Sequence, residues 1–175
     1  MRTFVALELP AEFVNDIAAL CRTLEASVEG RFLARETYHI TLAFLGEIDD
    51  AQVSRAMDAL DAAGAEAQPV SLRSDGLGKF GRSSDATLWM GIAPTPELSA
   101  IAFQVREELE RHDVSFDNKP FKAHVTLARR ARIPKGKFPT LAFPREAQAT
   151  RVTLFKSELA AGGATYKPLY TVELG

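Results

Sequence analysis

The chain has 175 residues, 46% hydrophobic and 25% charged, which suits one folded domain or two closely packed lobes and excludes wholesale disorder. Its 21 basic and 23 acidic residues leave a formal charge of −2, so any contact with a polyanion must come from a local patch rather than from bulk electrostatics. The single cysteine, Cys21, excludes an internal disulfide framework and any CxxC metal site, and fits a reducing cytosol.

Residues 3–9 are β-branched, aromatic and apolar up to Pro10 and read as a strand. Glu8 interrupts that run, and no other stretch approaches about 18 apolar residues, so neither a secretory leader nor a membrane span is expected. The expected location is the cytoplasm. Phe13, Ile17, Leu20 and Leu24 recur at helical spacing and predict a helix over 11–27. A strand at 38–45 is closed by Gly46, and Asp49 or Asp50 can cap a helix that carries Val53, Met57 and Leu60 and ends near Gly64. Two β-like runs, 69–73 and 87–93, flank a Gly/Ser-rich stretch that reads as a hairpin or a longer loop. Pro96 opens a helix whose apolar face is Leu98, Ile101, Val105 and Leu109. A strand at 122–129, a basic loop over 130–140, and strands at 150–159 and 165–174 around Gly162 and Gly163 complete the chain. The order βαβα, ββ, αβ, ββ, without a separating linker, predicts a single mixed α and β unit spanning 1–175.

Two of the three histidines open the same pattern: His39-Ile40-Thr41-Leu42-Ala43 and His124-Val125-Thr126-Leu127-Ala128. In a strand, the period of two puts His and Thr on one face and the aliphatic residues on the other. The aliphatic face belongs to the core, so the His/Thr faces must look into something polar, most simply a shared groove. One such pattern reads as an ordinary sheet histidine, but a duplicated one does not. His112, in Glu110-Arg111-His112-Asp113, reads as a helix-end residue. No HExxH and no cysteine cluster supports zinc, and neither a Ser/Cys nucleophile motif nor a P-loop is present. Two imidazoles can divide acid and base roles near neutral pH, and threonine hydroxyls can donate to phosphate oxygens without adding negative charge. That chemistry suits a phosphodiester.

On these residues the chain resembles the 2H phosphoesterase superfamily, and within it the RNA 2′,3′-cyclic phosphodiesterases, also called 2′-5′ RNA ligases. The resemblance runs through Arg2-Thr3-Phe4-Val5-Ala6-Leu7, the segment from His39 to Gly46 and the segment from Phe121 to Arg129. Ala123 stands where the family often has Pro, and Tyr38 where Leu is common; neither belongs to the His/Thr face. The resemblance implies an α+β bilobal fold with two pseudo-symmetric lobes, each an antiparallel sheet with helices outside it, around a central cleft. It also implies His39 as proton donor, His124 as proton acceptor, Thr41 and Thr126 as phosphate ligands, and no required cofactor or metal. The implied partners are RNA ends or oligonucleotides bearing a 2′,3′-cyclic phosphate, acted on by a monomer, with 2′-5′ ligation as a related activity. The competing reading is a non-catalytic RNA-end or nucleotide-binding module on the same fold.

Around the motifs, Lys122 shares strand parity with His124 and Thr126, whereas Arg129 lies on the opposite parity near the strand end. Arg129, Arg130, Arg132, Lys135 and Lys137 put five cations into nine residues, a candidate contact for an RNA backbone. Phe80, Trp89 and Tyr166 are candidate base-stacking groups, with Phe80 expected exposed in its Gly-rich loop and Trp89 expected in the core.

Overall fold

The computed structural model describes residues 1–136, 138 and 140–175. Its elements run β1 (Arg2–Glu8), α1 (Ala11–Glu25), β2 (Glu29–Phe32), a 3₁₀ turn (Arg35–Thr37), β3 (His39–Glu47), α2 (Asp50–Gly64) and β4 (Val70–Leu72) in the first part. They continue as β5 (Ser74–Arg82), β6 (Asp85–Ile92), α3 (Pro96–Arg111), β7 (His124–Arg132), β8 (Ala147–Ala149), β9 (Arg151–Ala160) and β10 (Gly163–Glu173). Two four-stranded antiparallel sheets result, ordered β10-β9-β1-β3 and β2-β7-β6-β5, beside a small β4-β8 pair. Each large sheet forms one lobe of an α+β fold, and each contains one of the two histidine-bearing strands.

Local chemistry accounts for the helix starts. Asp49 accepts from the Gln52 amide at 2.8 Å while the Gln52 side chain accepts from the Asp49 amide at 3.0 Å, a reciprocal cap for α2. Thr95 caps α3 through the Leu98 amide, and Pro96 occupies its first turn, where no amide donor is needed. The helices bury Phe13, Ile17, Leu20 and Leu24 of α1 and Leu98, Ile101, Val105 and Leu109 of α3. These meet Val5, Leu7, Ile40, Leu42, Met90, Val125 and Leu127 from the sheets in one continuous apolar core. Burying each such side chain contributes about 1.5–3 kcal/mol. No helix among the described residues is long and apolar enough to cross a membrane.

Four expectations change. Glu29–Phe32 is a strand that Gly30 and its polar neighbours concealed, and Ala147–Ala149 is another. Of the two readings of the Gly/Ser-rich stretch the hairpin is the one found, with a register shift between Ser74 and Leu77, and Phe80 is exposed as expected but sits on β5 rather than in a loop. Strand β7 starts at His124, not 122, and runs on through Arg132, so Arg130 and Arg132 belong to a strand rather than to a basic loop. Of the remaining loop cations Lys135 is exposed, and Lys137 lies outside the described residues.

Candidate active site

The two motif strands are built alike. In β3, Ile40 and Leu42 are fully buried while His39 and Thr41 are half-buried on the opposite face. In β7, Val125 and Leu127 are fully buried while His124 and Thr126 are half-buried. Each strand then breaks its alternation at the same place, with Leu42-Ala43 and Leu127-Ala128 giving two consecutive buried residues. Register shifts against β1 and β6 mark both places as bulges. A bulge reverses parity, so Phe44 and Arg129 emerge on the His/Thr face. Arg129 therefore faces the cleft although simple alternation puts it on the other side. Phe44, not singled out in the sequence, was findable by aligning the two motifs, which sets it opposite Arg129.

The imidazoles are held in the same way in both lobes. His39 Nδ1 lies 2.6 Å from the Thr37 carbonyl and His124 Nδ1 lies 2.7 Å from the Lys122 carbonyl. A carbonyl oxygen can only accept, so each Nδ1 carries a hydrogen and each Nε2 is left for the groove. His39 Nε2 lies 2.8 Å from the Thr41 hydroxyl, which donates to it while the ring is neutral. Burial pushes the His39 pKa down to about 4; the Thr37 hydrogen bond opposes this, and the charges of His124 and Arg129 add to it. His124 is also held below its ordinary range, first by burial and then by the Lys122 ammonium, against the opposing hydrogen bond to the Lys122 carbonyl. Strands β3 and β7 pack against each other across the two lobes, so the two motif strands meet at one junction.

Aromatic rings back both histidines. Phe4 and Tyr166 lie 4.9 and 5.3 Å from the His39 ring, with Tyr166 edge-on. Phe80 and Trp89 lie 5.4 and 5.8 Å from the His124 ring, both edge-on or nearly so. Trp89 thus forms a cleft wall rather than part of the core, a correction that its parity opposite to Leu88 and Met90 would have given. Lys122 sits just before β7 with its Nζ 4.7 Å from the centre of the Trp89 ring, beside His124. Arg130 turns to Asp85 at 2.9 Å instead of toward the histidines. A pocket of about 490 Å³ adjoins His39, walled by Tyr38, Phe155 and Tyr166 and edged by Glu8 and Glu36. Tyr38 itself is buried and donates its hydroxyl to Cys21. His112 caps the C-terminal end of α3, with its Nδ1 donating to the Glu108 carbonyl at 2.7 Å, away from both motifs.

Residues 9–160 match the model of the 2′-5′ RNA ligase superfamily. The chain belongs to that superfamily. It is 34% identical over 170 residues to an RNA 2′,3′-cyclic phosphodiesterase of Escherichia coli, covering 96% of this chain and 93% of that protein. A protein of the same description from Geobacillus stearothermophilus is 33% identical over 129 residues, 73% of this chain, but this chain spans only 41% of its length. Among solved structures, E. coli LigT in its apo form superimposes with a TM-score of 0.81 at 31% identity, covering 99% of this chain and 96% of that one. The same protein complexed with 3′-AMP gives a TM-score of 0.79 at 30% identity, covering 99% and 97%. The superfamily member is thus a two-lobed 2H phosphoesterase fold with one HxT strand in each lobe.

Proposed function

We propose that this chain, similar to proteins named RNA 2′,3′-cyclic phosphodiesterase, opens the cyclic phosphodiester at the end of an RNA, and that the product is a 2′-phosphomonoester. The observation that carries the reading is the matched anchoring of two imidazoles, each with Nδ1 on a backbone carbonyl and Nε2 turned to the groove, that of His39 beside the Thr41 hydroxyl. His124 Nε2 takes a proton from water, the water oxygen bonds to phosphorus, the bond from phosphorus to O3′ breaks, and His39 Nε2–H protonates O3′. Proton transfers balance: one imidazole gains what the other gives up, and water resets the pair. Protonated His39 can no longer accept from Thr41, so the Thr41 hydroxyl is freed to donate, with Thr126, to the non-bridging phosphate oxygens. Lys122 and Arg129 add positive charge where the phosphorane oxygens become more negative.

A 5′-hydroxyl in place of the water leads through the same broken bond to a 2′-5′ linkage, which is how one cleft serves ligation. A binding module without turnover has no use for two matched proton carriers. The whole of 1–175 acts as one unit, because each lobe supplies one histidine to the same phosphate, so a monomer holds the complete site. A cyclic RNA end as substrate and a lone buried thiol suit the cytoplasm as the place of work. His39→Ala and His124→Ala are each expected to lower kcat for a cyclic-ended oligonucleotide by about 10²–10⁴ with folding retained, by circular dichroism. EDTA is expected to leave the rate unchanged. Near-normal turnover in either variant, or a 3′-phosphate product, rejects the mechanism.

A further inference from the structure

Beside the histidine cleft, Arg31 on β2 stands directly opposite Arg129 on β7. Like charges set opposite on neighbouring strands destabilise a sheet unless something negative lies between them. Asp85 is taken by Arg130 at 2.9 Å, and among the described residues no carboxylate lies within ion-pair distance of Arg31 or Arg129. Arg31, Arg129 and Arg130 line a concave pocket of about 380 Å³ with Asp85, Ala86 and Thr87. Three guanidinium charges against one carboxylate leave it two positive charges, on a chain whose net charge is −2. Arg130 also holds a left-handed φ of 52°, uncommon for a residue with a side chain and kept at the pocket rim. Arg129 belongs to both places, since it lines this pocket and follows Thr126 onto the cleft face.

We propose that this pocket is a second phosphate subsite that takes the phosphate on the 5′ side of the terminal nucleotide. Guanidinium groups match two phosphate oxygens at once, and an anion there removes the repulsion between Arg31 and Arg129. The preferred substrate is therefore a cyclic end that carries a further phosphate, and a bare 2′,3′-cyclic nucleoside monophosphate is a poorer one. The inference rests on the hydrolytic reading above and narrows its substrate class.

Three substrates separate the sources of that phosphate: a 2′,3′-cyclic nucleoside monophosphate, the same compound with a 5′-phosphate, and a dinucleotide with a 2′,3′-cyclic end. The wild-type protein is expected to show kcat/KM about tenfold higher for the second and third than for the first. Arg31→Gln is expected to erase that gain and leave the first unchanged, because Arg31 is exposed on the edge strand β2 and takes no part in the proton transfers. The salt dependence of the dinucleotide reaction should become shallower in the variant. Equal wild-type values, equal losses on all three substrates, or a gain with the dinucleotide alone each overturn the phosphate subsite. Titration of the 2′-phosphate products, with and without the 5′-phosphate, provides the same contrast without turnover. If the wild type fails on every cyclic substrate, the hydrolytic reading falls, while product binding by wild type and Arg31→Gln still decides the subsite.

Discussion

At the scale of single residues, the free cleft favours neutral imidazoles, yet the proposed reaction needs one of them protonated. His39 is pushed down to about 4 and His124 is held below its ordinary range, so at neutral pH most free molecules carry no proton on either Nε2. The working form, with one ring charged and one neutral, becomes more populated as pH falls below the ordinary histidine value of about 6.5. Once a phosphodiester monoanion is bound, its charge stabilises an imidazolium and raises both values. The expected outcome is a bell-shaped kcat/KM profile centred below pH 6.5, with the alkaline limb of kcat displaced to higher pH than that of kcat/KM. Steady-state rates from pH 4 to 9 test this, and coincident alkaline limbs would show that the bound phosphate does not charge the acid. Sequence alone singles out His39 and His124, because the repeated His-x-Thr face is a period-two pattern. The depressed titration is not legible there, because it comes from rings that packing brings in from distant positions, Phe4 and Tyr166 in one lobe and Phe80 and Trp89 in the other.

At the scale of elements, the hairpin of β5 and β6 shows both what the sequence carries and where reading it goes astray. Alternation of Ala86, Leu88 and Met90 marks the buried face of β6 correctly. The glycines of β5 leave a hairpin and a longer loop both open, but Gly78 is there for the indole of Trp89, which is its cross-strand partner. A Cβ at Gly78 would stand 2.1 Å from a ring carbon of Trp89, and a rigid indole cannot yield by that much without leaving its place. Gly30 conceals β2 for a related reason, since a Cβ there would stand 2.8 Å from the Ala131 Cα of the neighbouring strand. Propensity penalises glycine in strands, and close approach overrides the penalty in both cases. Gly78→Ala is expected to cost about 1–3 kcal/mol in urea unfolding, the usual range for overpacking. Because Trp89 is the single tryptophan, its fluorescence should report the displaced ring directly, and kcat/KM should fall as the wall beside His124 moves. Wild-type stability with an unshifted emission would mean that the hairpin opens to make room.

At the scale of the whole molecule, the proposed reaction depends on two lobes presenting one phosphate with histidines that are 85 positions apart in sequence. Something must fix the motif strand of one lobe relative to the segment that leads into the other. Arg106 of α3 does so: its Nε donates to the Leu42 carbonyl at 3.0 Å and its Nη1 to the Lys119 carbonyl at 2.7 Å. Leu42 lies at the bulge that turns β3, and Lys119 lies in the segment that delivers His124. The guanidinium also rests over the Phe116 ring, 5.4 Å from its centre, while the Asp117 amide donates to the Phe44 carbonyl at 2.8 Å. Together these contacts join the two halves of the cleft at one cation. Nothing in a local pattern announces them, because Arg106 reads only as a polar position of an amphipathic helix. Arg106→Met keeps the apolar stem and removes both donors, leaving the Leu42 carbonyl less well paired while the exposed Lys119 carbonyl turns to water. It is expected to cost about 2–3 kcal/mol of stability. Because small misplacements of reacting groups are costly, kcat/KM should fall by an order of magnitude or more at temperatures where the variant remains fully folded. Thermal unfolding followed by circular dichroism, run beside cyclic-phosphate hydrolysis, separates the two effects. A variant that loses stability but keeps its rate would show that the sheets alone hold the cleft in register, and that the arginine serves folding only.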